Sequence, residues 1–379
     1  MLRLTVSGAL AAAVLATAGL ASPAAASPAA PGAAAAAARA ASGDLKQVSL
    51  PFFWPNNYLY DVAAASPDSV WIAGAQGELV VPGPIPGTGR QIPGNPVVRR
   101  WKNGGWVEYA LGGLPRHATI SNVEPVAPED VWISGTRHAT DTSPQEPYIG
   151  HFTGSAFTQV ALPPGATSAH LQADASGVWL STSGDLYRRA GGSWTHVAAL
   201  PPLRRHALQV RSGDDAWLFG KTSDHSDTVE AHHWDGTSWT RVPVEQDTRL
   251  GTITDVLPLA AGEAWAAGVD WTDGGGRPVL LRWDGAAWKH VPVPAGLNAL
   301  SRIARAPDGT LWANGHATDR PAAPGLIRYR GGAWERVPTP AVPFRSNILV
   351  SALTVDPVSG DLWTLGTPDI GGPVLLSSR

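Results

Sequence analysis

Gly213-Asp214-Asp215-Ala216-Trp217-Leu218-Phe219-Gly220 and, twelve residues later, His233-Trp234-Asp235-Gly236-Thr237-Ser238-Trp239 decide how this chain folds. The first phrase is a polar turn leading into a short apolar run that holds one Trp and closes on Gly. Apolar residues on both sides of such a run mark a strand covered on both faces. The second phrase sets two aromatics either side of Asp-Gly, a strong hairpin signal.

The same unit recurs along the chain. Its first Trp falls at Trp71, Trp132, Trp179, Trp217, Trp265, Trp312 and Trp363, at intervals of 61, 47, 38, 48, 47 and 51 residues. A Gly stands three residues on in six units (Gly74, Gly135, Gly220, Gly268, Gly315, Gly366), and Thr182 replaces it in the third. The outer-strand aromatic is Trp106, Phe157, Trp194, Trp239, Trp288 and Trp334. Four strands per unit and a period of about 40–50 residues define the blade of a β-propeller. The spacing therefore predicts an all-β, seven-bladed β-propeller over residues 44–379, with no helix.

The seventh unit lacks its outer strand, because the chain ends soon after Val374-Leu375-Leu376. The missing piece stands at the other end. Leu45-Lys46-Gln47-Val48-Ser49-Leu50-Pro51 matches Phe157-Thr158-Gln159-Val160-Ala161-Leu162-Pro163 position for position in residue type. The N-terminal strand is thus predicted to complete the last blade and close the ring, which leaves no free sheet edge between the first and last blades. Fifteen of the 17 Trp sit at repeat positions and are assigned to packing between blades. The basic residues that recur before the third-strand aromatic (Arg100, His151, His233, Arg282, Arg328) are read as a shared structural device for the same reason.

Residues 1–26 have a positive start at Arg3, an apolar stretch and the small-residue site Ala24-Ala25-Ala26, the pattern of a cleaved export signal. Residues 27–43, rich in Ala and Pro, read as a flexible spacer. The expected location is extracellular, with no membrane association after cleavage. A formal net charge of −3 with 16% charged residues argues against nucleic acid as a partner. Zero Cys excludes disulfides, thiolate catalysis and Cys-ligated metals. No motif calls for a cofactor or a metal, and the protein is read as a monomer.

In a four-strand meander the second-to-third loops and the links between blades share one end. That end collects all the long, variable segments, and binding surfaces belong on such loops. Its candidate ligand-binding residues are Trp54, Tyr58, Arg116, His117, Arg137, His138, Arg204, Arg205, Arg249, Trp271, His316, Phe344 and Arg345. Trp54 and Trp271 are the two Trp outside the repeat, and Arg beside aromatics suits planar or anionic ligands. His225 and the acids Asp247, Asp270, Asp273 and Asp319 also fall on this end, and no spacing pairs the acids for catalysis. No catalytic residue is assigned.

Ser66-Pro67-Asp68-Ser69-Val70-Trp71-Ile72-Ala73-Gly74 together with the Asp235-Gly236 hairpin resembles a repeat of secreted actinobacterial propeller proteins, S-P-D-D-V-W-A-V-G followed by H-W-D-G-T-S-W. The resemblance covers residues 45–376 and implies the propeller fold. It implies no activity, since the shared motifs are the packing ones. The functional expectation is a secreted, non-catalytic binding propeller for carbohydrate or cell-wall material. Two alternatives stand beside it: an extracellular polysaccharide lyase or glycoside hydrolase working at the central mouth, and a scaffold for an extracellular protein partner.

Overall fold

A computed structural model describes residues 44–83, 90–92, 94–114, 116–139, 143–223, 228–245, 251–271 and 274–379. The export signal, the spacer, His225, Asp247, Arg249 and Asp273 lie outside the described residues, as does the side chain of Arg205. The described residues form no helix. Seven four-stranded antiparallel sheets follow one another as a seven-bladed β-propeller. In blade 4 the strands are Arg204–Ser212, Asp215–Lys221, Glu230–Trp234 and Trp239–Val242, innermost to outermost. The seventh sheet orders Lys46–Gln47, Val374–Ser377, Leu362–Thr367 and Leu349–Val355, so the N-terminal strand is its outer strand.

The register of that closing strand follows the sequence match. Val48 donates to the Leu375 carbonyl as Val160 donates to Ile149 and Val291 to Leu280. The Ser49 carbonyl accepts the Trp106 indole at 3.0 Å, and its counterpart Ala161 accepts the Trp194 indole at 2.8 Å. At the other end of the chain, Arg379 donates to the Pro67 carbonyl and lies 3.5 Å from Asp68, tying blade 7 to the first turn of blade 1.

Each second-strand Trp is buried and packs into the next blade. Trp71 lies against Phe152 and Phe157 of blade 2, with centroids 5.1 and 5.7 Å away. Trp217 lies between Trp283 and Trp288 of blade 5, both at 4.9 Å. Trp265 does the same with Tyr329 and Trp334 of blade 6. The core accordingly divides into seven apolar clusters, one per blade junction, and the last joins Trp363 to Leu59, Val62 and Ile72 of blade 1.

The recurrent basic residue is the cross-strand partner of this Trp. Arg100 pairs in register with Trp71, His151 with Trp132, His233 with Trp217 and Arg282 with Trp265. His151 stacks on its indole at 4.1 Å and Arg100 covers its own at 5.3 Å. A turn carboxylate then holds the cap: Glu129 on Arg100 at 2.7 Å, Asp130 on His151 at 2.7 Å, Asp215 on His233 at 2.9 Å. Such a stack adds cation–π or ring contact to the apolar burial of the same indole.

The glycine of the repeat has a packing cause. In six blades the first strand carries a bulge, for example between Ile120 and Asn122 or Ile253 and Asp255. The bulge drives a carbonyl onto the second strand, so that a Cβ on Gly135 would collide with the Thr119 oxygen and one on Gly268 with the Thr252 oxygen. Blade 3 has Thr182 there, and its first strand runs from His170 to Asp174 without a bulge. The sequence departure and the structural departure coincide.

The second-to-third connection of blade 1 continues both flanking strands and adds a small hairpin, Leu79–Val81 with Arg90–Ile92. Gly135→Ala and Gly268→Ala are each expected to lower stability by about 1–3 kcal/mol, the usual cost of overpacking. Urea unfolding reads this directly, and a loss below a few tenths would show that the bulge yields.

Candidate functional site

The first strands surround a central channel and place polar side chains along it. Asp61 accepts Val62 N–H of its own blade and Val123 N–H of blade 2, each at 2.9 Å. Asp255 repeats this between blades 5 and 6 with Val256 and Ile303. Asn122 donates to Leu171, Asn314 to Ala352, and Gln172 receives Val210 N–H, so further junctions carry amide clasps. Where the first strand is bulged, the bulge frees the backbone group that such a side chain satisfies; the Leu171 carbonyl belongs to the unbulged strand of blade 3. Arg302 supplies positive charge to Asp61 and Asp255 and donates to the Thr254 carbonyl.

Glu124 is the acid of this group without a clasp. Burial pushes its carboxyl up to about 8, the Asp61 charge adds to the rise, and the Asn122 amide and Arg302 oppose it. Asp61 and Asp255 are raised by burial as well, against Arg302 and their two N–H donors. Asp61 and Asp255 spend both oxygens on backbone, so they staple blades and offer no free base. Among the described residues, no three His, Asp or Glu groups gather to hold a metal ion.

None of these channel residues stands among the candidates read from the sequence, yet the chain carries a signal for them. Asp61, Asn122, Asp255 and Arg302 each stand ten residues before the blade Trp.

The candidate residues divide among blade junctions on the long-loop end. At the junction of blades 7 and 1, Trp54 is 61% exposed and meets Phe52 edge-on at 5.9 Å. Tyr58 stacks with Tyr60 at 6.5 Å. Phe344 is 94% exposed, with φ of 60°. A bulky residue in that left-handed region costs backbone energy. Arg345 donates to the Phe344 carbonyl and packs on Gly371, while Asp369 donates its N–H to the Ser346 carbonyl. Ile370 and Leu349 complete an exposed apolar surface here.

At blade 2, Arg137 pairs with Glu146 at 3.1 Å and donates to Gly113, and His138 Nδ1 meets the Ser143 carbonyl at 2.8 Å. The His138 N–H donates to the His117 carbonyl, so these three residues form one loop platform beside the exposed Arg116. At blades 5 and 6, Trp271 lies against Gly276, and Asn298 links the Gly275 carbonyl to His316 Nδ1. Arg204 is exposed at the start of blade 4. Trp54 and Trp271 share an end of the molecule but belong to different junctions.

No protein-family model matches the chain, and no curated protein does. Solved propellers do. A structure titled "YCF48 bound to D1 peptide" is 16% identical with a TM-score of 0.55, covering 88% of this chain and 97% of that one. A streptogramin B lyase is 14% identical with a TM-score of 0.53, covering 88% and 96%. A GH74 xyloglucanase from Xanthomonas campestris is 14% identical with a TM-score of 0.55, covering 85% of this chain and 53% of that one. At these identities the likeness is one of fold.

The raised Glu124 carboxyl has a pH consequence. Below about pH 4.5 both folded and unfolded chains hold this proton. Between there and about 8 the unfolded chain has lost it and the folded chain has not, so stability falls as pH rises through that window. Glu124→Gln is expected to flatten the fall and to exceed the parent at pH 9 by on the order of 2–4 kcal/mol. Urea melts from pH 5 to 9 check it, and parallel curves for parent and variant would contradict it.

Proposed function

We propose that this protein is a secreted, non-catalytic binding propeller whose long-loop end engages an extracellular polymer, carbohydrate or cell-wall material. The supporting observation is the surface at the junction of blades 7 and 1, where Trp54, Tyr58, Tyr60 and Phe344 are exposed beside Arg345. Large aromatic rings left in water without a packing role are the usual anchors of recognition. Flat rings beside a guanidinium suit sugar faces and their polar rims.

Secretion rests on the signal pattern of residues 1–26. Among the described residues no helix is long and apolar enough to cross a membrane. Asp61 and Asp255 of the channel are consumed by backbone N–H groups, which supports a structural use for those two acids.

A protein or peptide ligand is the second reading. Leu79, Leu349 and Ile370 enlarge the exposed surface with aliphatic groups that have no hydrogen-bonding use toward sugar. The similar propeller solved with a bound peptide fits the same reading.

The test immobilises the protein through its C-terminus, which lies with Pro67 and Asp68 at the short-turn end. Isolated cell wall and a panel of polysaccharides are then offered, and both retention and released sugar are measured. Retention without product is expected, reduced about fivefold or more by Trp54→Ala or Phe344→Ala, since truncating an anchor costs about 1 kcal/mol or more. Soluble product would overturn the binding reading. Loss of retention to cell wall stripped of protein would move the ligand to the peptide class.

A further inference from the structure

Blade 3 breaks the repeat a third time, and the break lies far from the long-loop end. In blades 1, 2, 4, 5 and 6 the third strand presents an aromatic that pairs in register with an outer-strand aromatic: Trp101 with Trp106, Phe152 with Phe157, Trp234 with Trp239, Trp283 with Trp288, Tyr329 with Trp334. In blade 3 the partner of Trp194 is Arg189. Its guanidinium carbon lies 5.4 Å from the Trp132 ring and 5.3 Å from the Trp194 ring. The charge thus replaces one aromatic wall of the slot that receives the preceding blade's Trp.

Three arginines that face blade Trp positions have carboxylates: Arg100 has Glu129, Arg282 has Glu263 and Arg328 has Glu335. Arg189 has none among the described residues. Partial burial against the two rings pulls its pKa below the usual value. The part of the guanidinium left open can offer its N–H donors to an anion.

Beside it opens a cavity of about 640 Å³ at the outer rim between blades 2 and 3, within the size range of small-ligand sites. Trp194 and Tyr187 provide flat walls. Thr153, Thr158, Gln159 and Ser193 provide hydroxyl and amide groups. We propose that this cavity binds a carboxylate-bearing sugar, a uronic acid unit, with its carboxylate on Arg189.

The planar carboxylate matches the guanidinium fork, the ring faces lie on the aromatic walls, and the hydroxyls meet the polar side chains. An added peptide strand would need a free sheet edge here. At Phe157 that edge is already taken: its N–H donates to Ala110 and its carbonyl accepts Gly112 N–H. The site lies toward the turns that hold Thr153 and Gly192, opposite the long loops, and is independent of the long-loop reading.

The experiment titrates the whole protein with tetragalacturonate by calorimetry and Trp fluorescence, beside neutral cellotetraose and a tetraglutamate peptide. Two variants accompany it. Arg189→Trp restores the aromatic that five other blades carry, so it is expected to fold and to melt no lower than the parent. Val358→Ala alters an exposed side chain in a blade 7 turn, outside both sites. Tetragalacturonate is expected to bind, and the other two probes to bind about tenfold more weakly or not at all. Arg189→Trp is expected to weaken binding about tenfold or more, and Val358→Ala to leave it unchanged. Absent uronate binding, equal binding by folded Arg189→Trp, or preference for the acidic peptide would each overturn the proposal.

Discussion

Everything in this molecule depends on one indole per blade entering the sheet that follows. Trp71, Trp217 and Trp265 each leave their own sheet and bury between the third and outer strands of the next one. A blade alone would expose this ring and the slot that takes it. Seven blades in a circle bury both everywhere, provided the circle closes. The N-terminal strand matters because it supplies the outer strand of the slot wall in blade 7.

The indole also explains features that look unrelated. The basic cap, its turn carboxylate and the register of the second and third strands are all set by covering the Trp face. Near the axis Asp61, Asn122, Asp255 and Asn314 satisfy backbone groups across the blade junctions. The apolar staple at mid-blade and the polar staple at the axis thus act on the same junctions.

The repeat and the closing strand were legible in the chain because both are carried by residue type at fixed spacing. Ser49 and Ala161 occupy matching places and accept equivalent indole bonds, as their aligned phrases predict. The channel was not legible. Whether Asp61 faces the axis or a neighbouring blade depends on the phase of the first strand, and a bulge shifts that phase by one residue. The long-loop end was legible as an end but not as a map. Trp54 and Trp271 share it and are separated by the order of blades around the ring. Arg189 was missed because counting aromatics passes over the position where one is lacking.

The most direct measurement compares urea unfolding of Trp363→Ala with Trp217→Ala, followed by hydrogen exchange of each blade. Trp363 serves the junction between the last blade and the first, beside Val48 and Leu50 of the closing segment, and Trp217 serves a junction between consecutive blades 4 and 5. If every junction is held by the same interaction in a closed ring, each variant unfolds in one transition, and each loses about 3–5 kcal/mol. A separate early transition confined to blades 7 and 1 in Trp363→Ala, with Trp217→Ala unfolding as a unit, would contradict the account.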